Sequence, residues 1–319
     1  MVTMSPSTAR ESGGRGQVLL VGALAIAFVI VGLAVLFNAV TYTGQTAMPE
    51  AGSSIDDANQ FDFEARRGAR EVVLRVNHAG VYGSPSSLAR NVSANVSNYS
   101  AIMGAAYSSH GAAVNVSFEN ATSEYGRRIV QHEPRSFTNG GVGDWQLVDE
   151  AGEVGWFVVT VNGTDLAENP SNAFAINVTN DTGEYVEYRI HGKGGGVVNV
   201  TVNTSDGTGG LYQINTTRGH VVIDLLDGRS PMNRSMRMPS FRRLDGPYNV
   251  TFVRGGQARG LYSIVVPSAD RVNGSIAACV STPPCHGPAV WNVTVETRYE
   301  SPTVDVSHNH SIPVYNSTS

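Results

Sequence analysis

Few residues of this chain have types and spacings that suggest chemistry. The two cysteines, Cys279 and Cys285, are separated by five residues, two of them proline. In an oxidising compartment so close a pair most often forms a disulfide, and a proline-bearing loop of this length can turn back far enough for the sulfurs to meet. A metal site would need more ligands. His286 is adjacent, but no second cysteine pair follows, and no metal is expected. His308-Asn309-His310 could put two imidazoles on one face of a strand; so near the C-terminus, a solvated tail is the preferred reading over a ligand pair.

The third chemical feature is asparagine. Of 23 asparagines, 17 stand in Asn-x-Ser/Thr sites, the first at Asn91 and the last at Asn316. A glycan needs an exposed, translocated asparagine. The candidate acceptors are Asn91, Asn95, Asn98, Asn115, Asn120, Asn162, Asn177, Asn199, Asn203, Asn215, Asn249, Asn273 and Asn292. Many sit in Asn-Val-Thr/Ser, where alternation along a strand turns the asparagine and hydroxyl to water and the middle valine to the core. Such one-sided burial suits an antiparallel sheet or sandwich.

Other chemistry is not written in the chain. There is no Gly-x-Ser-x-Gly elbow and no His-Glu-x-x-His, and Gly192-Lys193-Gly194-Gly195-Gly196 lacks the spacing and the Ser/Thr of a phosphate loop. That glycine run reads as a turn between strands. Arg229 to Arg243 carries five arginines; a solvated loop is preferred there over a site for a polyanion such as an acidic surface sugar. The net charge of -5 argues against nucleic-acid binding. No catalytic residue, cofactor or enzymatic activity is expected.

The elements that would carry these residues follow from periodicity. Val18 to Phe37 is an uncharged apolar run of twenty residues; at ~1.5 Å per residue it would reach roughly 30 Å, the thickness of a bilayer core. Arg10 and Arg15 precede it and the next basic residue is Arg66, which would leave the N-terminus cytoplasmic. Ser54 is expected to cap a helix with the stripe Ala58, Phe61, Ala65, Ala69, Val72 and Val76. Ser84-Pro85 opens a second, with the stripe Leu88, Val92, Val96, Tyr99 and Met103. After about residue 111 the period becomes two, with short strands and glycine, asparagine or aspartate at the turns.

The expected fold is therefore α+β: an N-terminal transmembrane helix, a short helical region, then a mainly antiparallel, sandwich-like β ectodomain. The expected divisions are a cytoplasmic leader over 1–16, the span over 17–40, a linker over 41–54, helices over 55–110 and a glycosylated β-rich part over 111–319. The expected location is the cell membrane, as a single-pass protein with its C-terminal domain outside and lipid as one partner.

Arg15-Gly16-Gln17-Val18-Leu19-Leu20-Val21-Gly22 resembles the start of archaeal type IV pilin-like proteins, and of haloarchaeal single-pass surface proteins. In that pattern a basic and a small residue precede the cut and an apolar helix follows at once. The resemblance implies processing between Gly16 and Gln17 by a prepilin peptidase, with pilus-assembly proteins as partners. Val21 departs from it, since pilins often carry glutamate at the fifth mature position, which favours a minor subunit. The resulting expectation is a pilin-like structural or interaction protein of the archaeal envelope. The alternative is a surface module that recognises a glycan or another surface protein; an extracellular hydrolase is third.

Overall fold

The computed structural model describes residues 52–267, 271–279 and 283–315. Two α-helices lead: α1, Gly52–Ala79, and α2, Pro85–Ser108. On α1 the residues at spacings of three and four, Ala58, Phe61, Ala65, Ala69, Val73 and Val76, are all buried. Val73 takes the place in the stripe that the sequence assigns to Val72, which is half-buried. Because α1 begins at Gly52, Ser54 lies inside it rather than capping it, and its hydroxyl accepts from that of Thr303. Ser84 does cap α2: its backbone is extended and its hydroxyl accepts from the Ser87 N–H at 3.3 Å. The helices meet closely at Gly68. A Cβ there would lie 2.1 Å from the Tyr99 hydroxyl oxygen, so only glycine lets Tyr99 reach across and donate to the Glu64 carbonyl.

Fourteen strands follow among the described residues. They are β1 (Ala113–Phe118), β2 (Glu124–Ser136), β3 (Trp145–Ala151), β4 (Trp156–Asn162), β5 (Phe174–Thr179), β6 (Tyr185–Gly194), β7 (Val197–Thr204), β8 (Gly210–Asn215), β9 (His220–Asp224), β10 (Tyr248–Val253), β11 (Arg259–Val266), β12 (Ala277–Ala278), β13 (Cys285–Glu300) and β14 (Asp305–Pro313). One sheet runs β1-β13-β2-β11-β4-β9, with β12 and β14 also paired to β13; the other runs β3-β10-β5-β6-β7-β8. The pairings are antiparallel apart from β12 with β13.

Strand β11 shows how the layers stack. Tyr262, Ile264 and Val266 enter the core between the two sheets, while Val265, on the opposite face, enters the core under the helices. The arrangement is therefore helices, first sheet, second sheet. Aromatic rings dominate the inter-sheet core: Phe137 stacks on Phe174 at 4.5 Å, and Phe252 meets both edge-to-face. Each such buried ring contributes about 1.5–3 kcal/mol relative to exposure.

These findings correct the α+β expectation. The described chain is mostly antiparallel strand with two α-helices, and neither helix is long and apolar enough to cross a membrane. The reason is composition: the outward face of α1 carries Asp56, Asp57, Arg66, Arg67, Glu71 and Arg75. The run Val18–Phe37 lies outside the described residues, so the single-pass anchor, the cell-membrane location and the cytoplasmic N-terminus have no described helix to support them.

Polar contacts clasp α1 to the first sheet. Asn77, 1% exposed, donates from Nδ2 to the Val290 carbonyl at 2.8 Å and accepts the Val290 N–H at 2.9 Å. Its Nδ2 also donates to the Tyr315 hydroxyl, which lies 3.2 Å from His78 Nε2. The His78 ring lies against Trp156 at 4.4 Å. From β2, Arg128 donates to the carbonyls of Asn77 and Gly80 at the end of α1, supplying positive charge and donors where helix carbonyls lack partners. Asn77→Ala leaves both Val290 backbone groups buried and unpaired, and is expected to lower unfolding free energy by about 3 kcal/mol in denaturant titration. A loss below ~1 kcal/mol would mean water replaces the amide.

His78 gives a pH dependence. Burial, and then the Arg128 charge, hold its pKa down to about 4. The unfolded chain, with histidine near 6.5, binds more protons than the folded one between those values. Stability therefore rises with pH across that window, is complete above about 6.5, and is lost as pH falls to about 4. The expected loss is on the order of 3 kcal/mol. His78→Phe, which keeps the ring contact, should flatten the difference between pH 7 and pH 4; an unchanged slope in that variant would assign it to other groups.

Candidate functional site

Along β14, residues of one parity, Val306, His308, His310 and Ile312, share the face toward the helices, where Val306 and Ile312 join the helix-side core. Ser307, Asn309 and Ser311 take the other face. The strand pairs with β13, with Thr297 opposite His308 and Val295 opposite His310. On α1, Asp62 follows the buried Phe61 and flanks the apolar stripe, so it points along the sheet surface to the two histidines. His310 Nε2 lies 2.6 Å and His308 Nδ1 3.8 Å from Asp62 Oδ1, with the imidazole centroids 5.8 Å apart. One ligand-type atom from each of the three residues lies within 4.8 Å of the others.

Two neighbours fix the carboxylate. Thr297, 2% exposed, donates to Asp62 Oδ1 at 2.7 Å, and Arg66 Nε lies 3.1 Å from Oδ2. Burial pushes the Asp62 pKa up, but the hydrogen bonds from Thr297 and His310, with the charges of His310 and Arg66, outweigh it and hold the group below its ordinary value. His308 is exposed, whereas Asp62 and His310 are half-buried. The group thus lies at the rim of the helix–sheet interface, open to water on one side.

The sequence reading misses this cluster. It leaves His308-Asn309-His310 in a solvated tail, whereas these residues occupy a paired strand. The signal was available in the alternation of Val306, His308, His310 and Ile312, the period of a half-buried strand. Asp62 carries no such signal, because its nearness to β14 is a product of the tertiary fold.

The sequon asparagines divide by exposure. Asn91, Asn95, Asn98, Asn115, Asn120 and Asn215 are exposed; Asn162, Asn177, Asn203, Asn249, Asn273 and Asn292 are half-buried. The middle valines of the strand sites, Val116, Val178, Val200, Val250 and Val293, are buried. Asn199 departs from the expected wet face. It is 8% exposed, lies between its register partners His191 and Gln213, and its Oδ1 has no hydrogen-bond partner among the described residues. Several half-buried sites are engaged: Asn203 donates to Glu187, and Asn249 Oδ1 accepts from Gln146 and the Glu150 N–H, whereas Asn177 Oδ1, like that of Asn199, has no hydrogen-bond partner among the described residues. Gly16, Gln17 and Asn316 lie outside the described residues.

Cys279 and Cys285 are joined as a disulfide, and the Cys279 N–H donates to the His286 carbonyl. Gly194, Gly195 and Gly196, all at positive φ, turn β6 into β7. The arginine-rich stretch covers one part of the inter-sheet core: Met236, Met238, Phe241 and Leu244 are buried there, while Arg242 pairs with Asp227 and Arg243 with Asp206. Its methionines are apolar anchors, which a reading as a solvated loop does not anticipate.

Residues 12–154 of this chain match DUF7261, a family of unknown function. The match takes in both helices and β1 to β3, yet β1 and β2 pair with β13 and β3 pairs with β10, all beyond its end. No curated protein and no solved structure matches the chain.

Proposed function

We propose that this protein is a structural or interaction module of the cell exterior, with sugar carried on the exposed asparagines of a β-sandwich. The observation behind the reading is the pairing, within single sequons, of an outward asparagine with a buried valine. Asn91 and Asn95 on α2 flank buried Val92 and Val96, and Asn115 on β1 precedes buried Val116. Together with Asn98 and Asn120 these acceptors lie on α2 and the chain that follows it, so glycans there would clothe the helical layer while leaving the core untouched. The Cys279–Cys285 disulfide supports residence in an oxidising compartment.

A pilin-like subunit role is the specific form of this proposal, and it rests on Arg15 to Gly22. It requires a cut by a prepilin peptidase between Gly16 and Gln17. The alternative, recognition of a surface glycan or protein, is favoured by the outward face of the second sheet. There Glu187, Arg189, Thr201 and Asn203 line a shallow groove beside Tyr185 and Leu211.

Glycopeptide mapping of the protein from its own cells tests the first reading. Sugar is expected on peptides bearing Asn95, Asn98 and Asn115, and not on Asn199, with a linked Cys279–Cys285 peptide after non-reducing digestion. Bare sequons throughout, with both thiols free, would remove the case for an exterior role. Occupancy at Asn199 equal to that at Asn95 would show that modification precedes folding. For the subunit role, N-terminal mass spectrometry should find Gln17 first; a chain that retains its leader at residue 1 or 2 rejects it.

A further inference from the structure

We propose that Asp62, His308 and His310 bind one divalent transition-metal ion of the zinc class, clipping α1 to β14. The inference is independent of the exterior role. Two imidazole nitrogens and one carboxylate oxygen are a donor set that Zn²⁺, Co²⁺, Ni²⁺ and Cu²⁺ accept, whereas Ca²⁺ and Mg²⁺ require mostly oxygen. In a tetrahedral site with bonds near 2.0–2.1 Å, neighbouring ligand atoms are about 3.3 Å apart. Here they range from the 2.6 Å Asp62–His310 contact and the 3.8 Å Asp62–His308 contact to a limit of 4.8 Å. Side-chain rotation closes the difference without moving the backbone, because β14 already sets both rings on one face.

The surrounding contacts are those a ligating carboxylate needs. Arg66 holds Oδ2 and Thr297 donates to Oδ1, orienting the group while leaving Oδ1 lone-pair capacity for a cation. The Arg66 charge opposes the ion, and it acts on the oxygen that faces away from the histidines. Exposure of His308 leaves room for water to complete the coordination shell. The ion would join residues about 250 positions apart, and the Asp62–His310 hydrogen bond is the contact it would replace.

The test uses the full chain without a polyhistidine tag, stripped with chelator and titrated with Zn²⁺ by calorimetry and with Co²⁺ by visible absorption. One equivalent of Zn²⁺ is expected, with Co²⁺ bands of a four- or five-coordinate nitrogen–oxygen site and a rise in Tm on adding Zn²⁺. His308→Gln, at an exposed position that leaves packing intact, should weaken binding at least ~10-fold, and Thr297→Val by about 10-fold through its contact to Asp62. The His308→Ala/His310→Ala double variant should lose the bands, whereas His132→Ala, exposed on β2, should retain them. Circular dichroism confirms that each variant is folded. Absence of saturable uptake by the wild-type chain overturns the proposal, as does binding undiminished in the double variant.

Discussion

The structure turns on one buried amide. Strand β13 changes partners midway, pairing with β2 and the short β12 along its first half and with β1 and β14 along its second, and its register against β2 shifts between Val290 and Asn292. Peptide groups at such a shift lose regular ladder partners, and buried unpaired ones are costly. Asn77 supplies both a donor and an acceptor to Val290, doing for that residue what a neighbouring strand would. The position of α1 is thereby fixed against the backbone of the sheet, and the apolar stripe from Ala58 to Val76 packs from that point. Arg128 completes the joint by taking up carbonyls at the helix end.

From this joint the contacts of α1 run back along the C-terminal strand. His78 and Asn77 meet Tyr315, Arg70 donates to the Pro313 carbonyl, Asp62 meets His310 and His308, and Ser54 meets Thr303. Helix and strand run in the same direction. From Ser54 to His78 the helix advances roughly 36 Å, and from Thr303 to Tyr315 the chain through β14 and its flanking bends spans at most roughly 40 Å. That near match lets one helix edge follow one strand over its whole length, with apolar packing on one side of the line and water on the other.

Much of this was legible wherever a single face is buried. The stripe on α1, the Ser84-Pro85 start of α2, and strands such as β5, β7 and β10 with alternating apolar residues all declare themselves through period. What period alone does not reveal has physical causes. Strand β2 contains Arg127 and Arg128 together, and Arg128 is sheltered because it caps a helix, a partner no local pattern reveals. β3 is held by β10, far away in sequence, and β14, although it forms a hairpin with the preceding β13, is mostly polar along its length. Val72 and Val73 occupy adjacent positions near the edge of one stripe, and only the helix's rotation over the sheet selects between them. Asn199 follows the strand alternation correctly, yet its flanking strands close over it. The candidate metal cluster was half legible: the strand parity of its histidines is in the chain, whereas Asp62 belongs to the tertiary packing.

The parallel course of α1 and β14 also has a mechanical meaning. A pull along the helix axis, delivered through the chain entering at Gly52, loads the Ser54, Asp62, Arg70 and Asn77 contacts together, in shear. A pull across the axis would open them one after another, like a peeled strip. The line of contacts between α1 and β14 therefore resists tension along the direction in which the helix points better than tension across it.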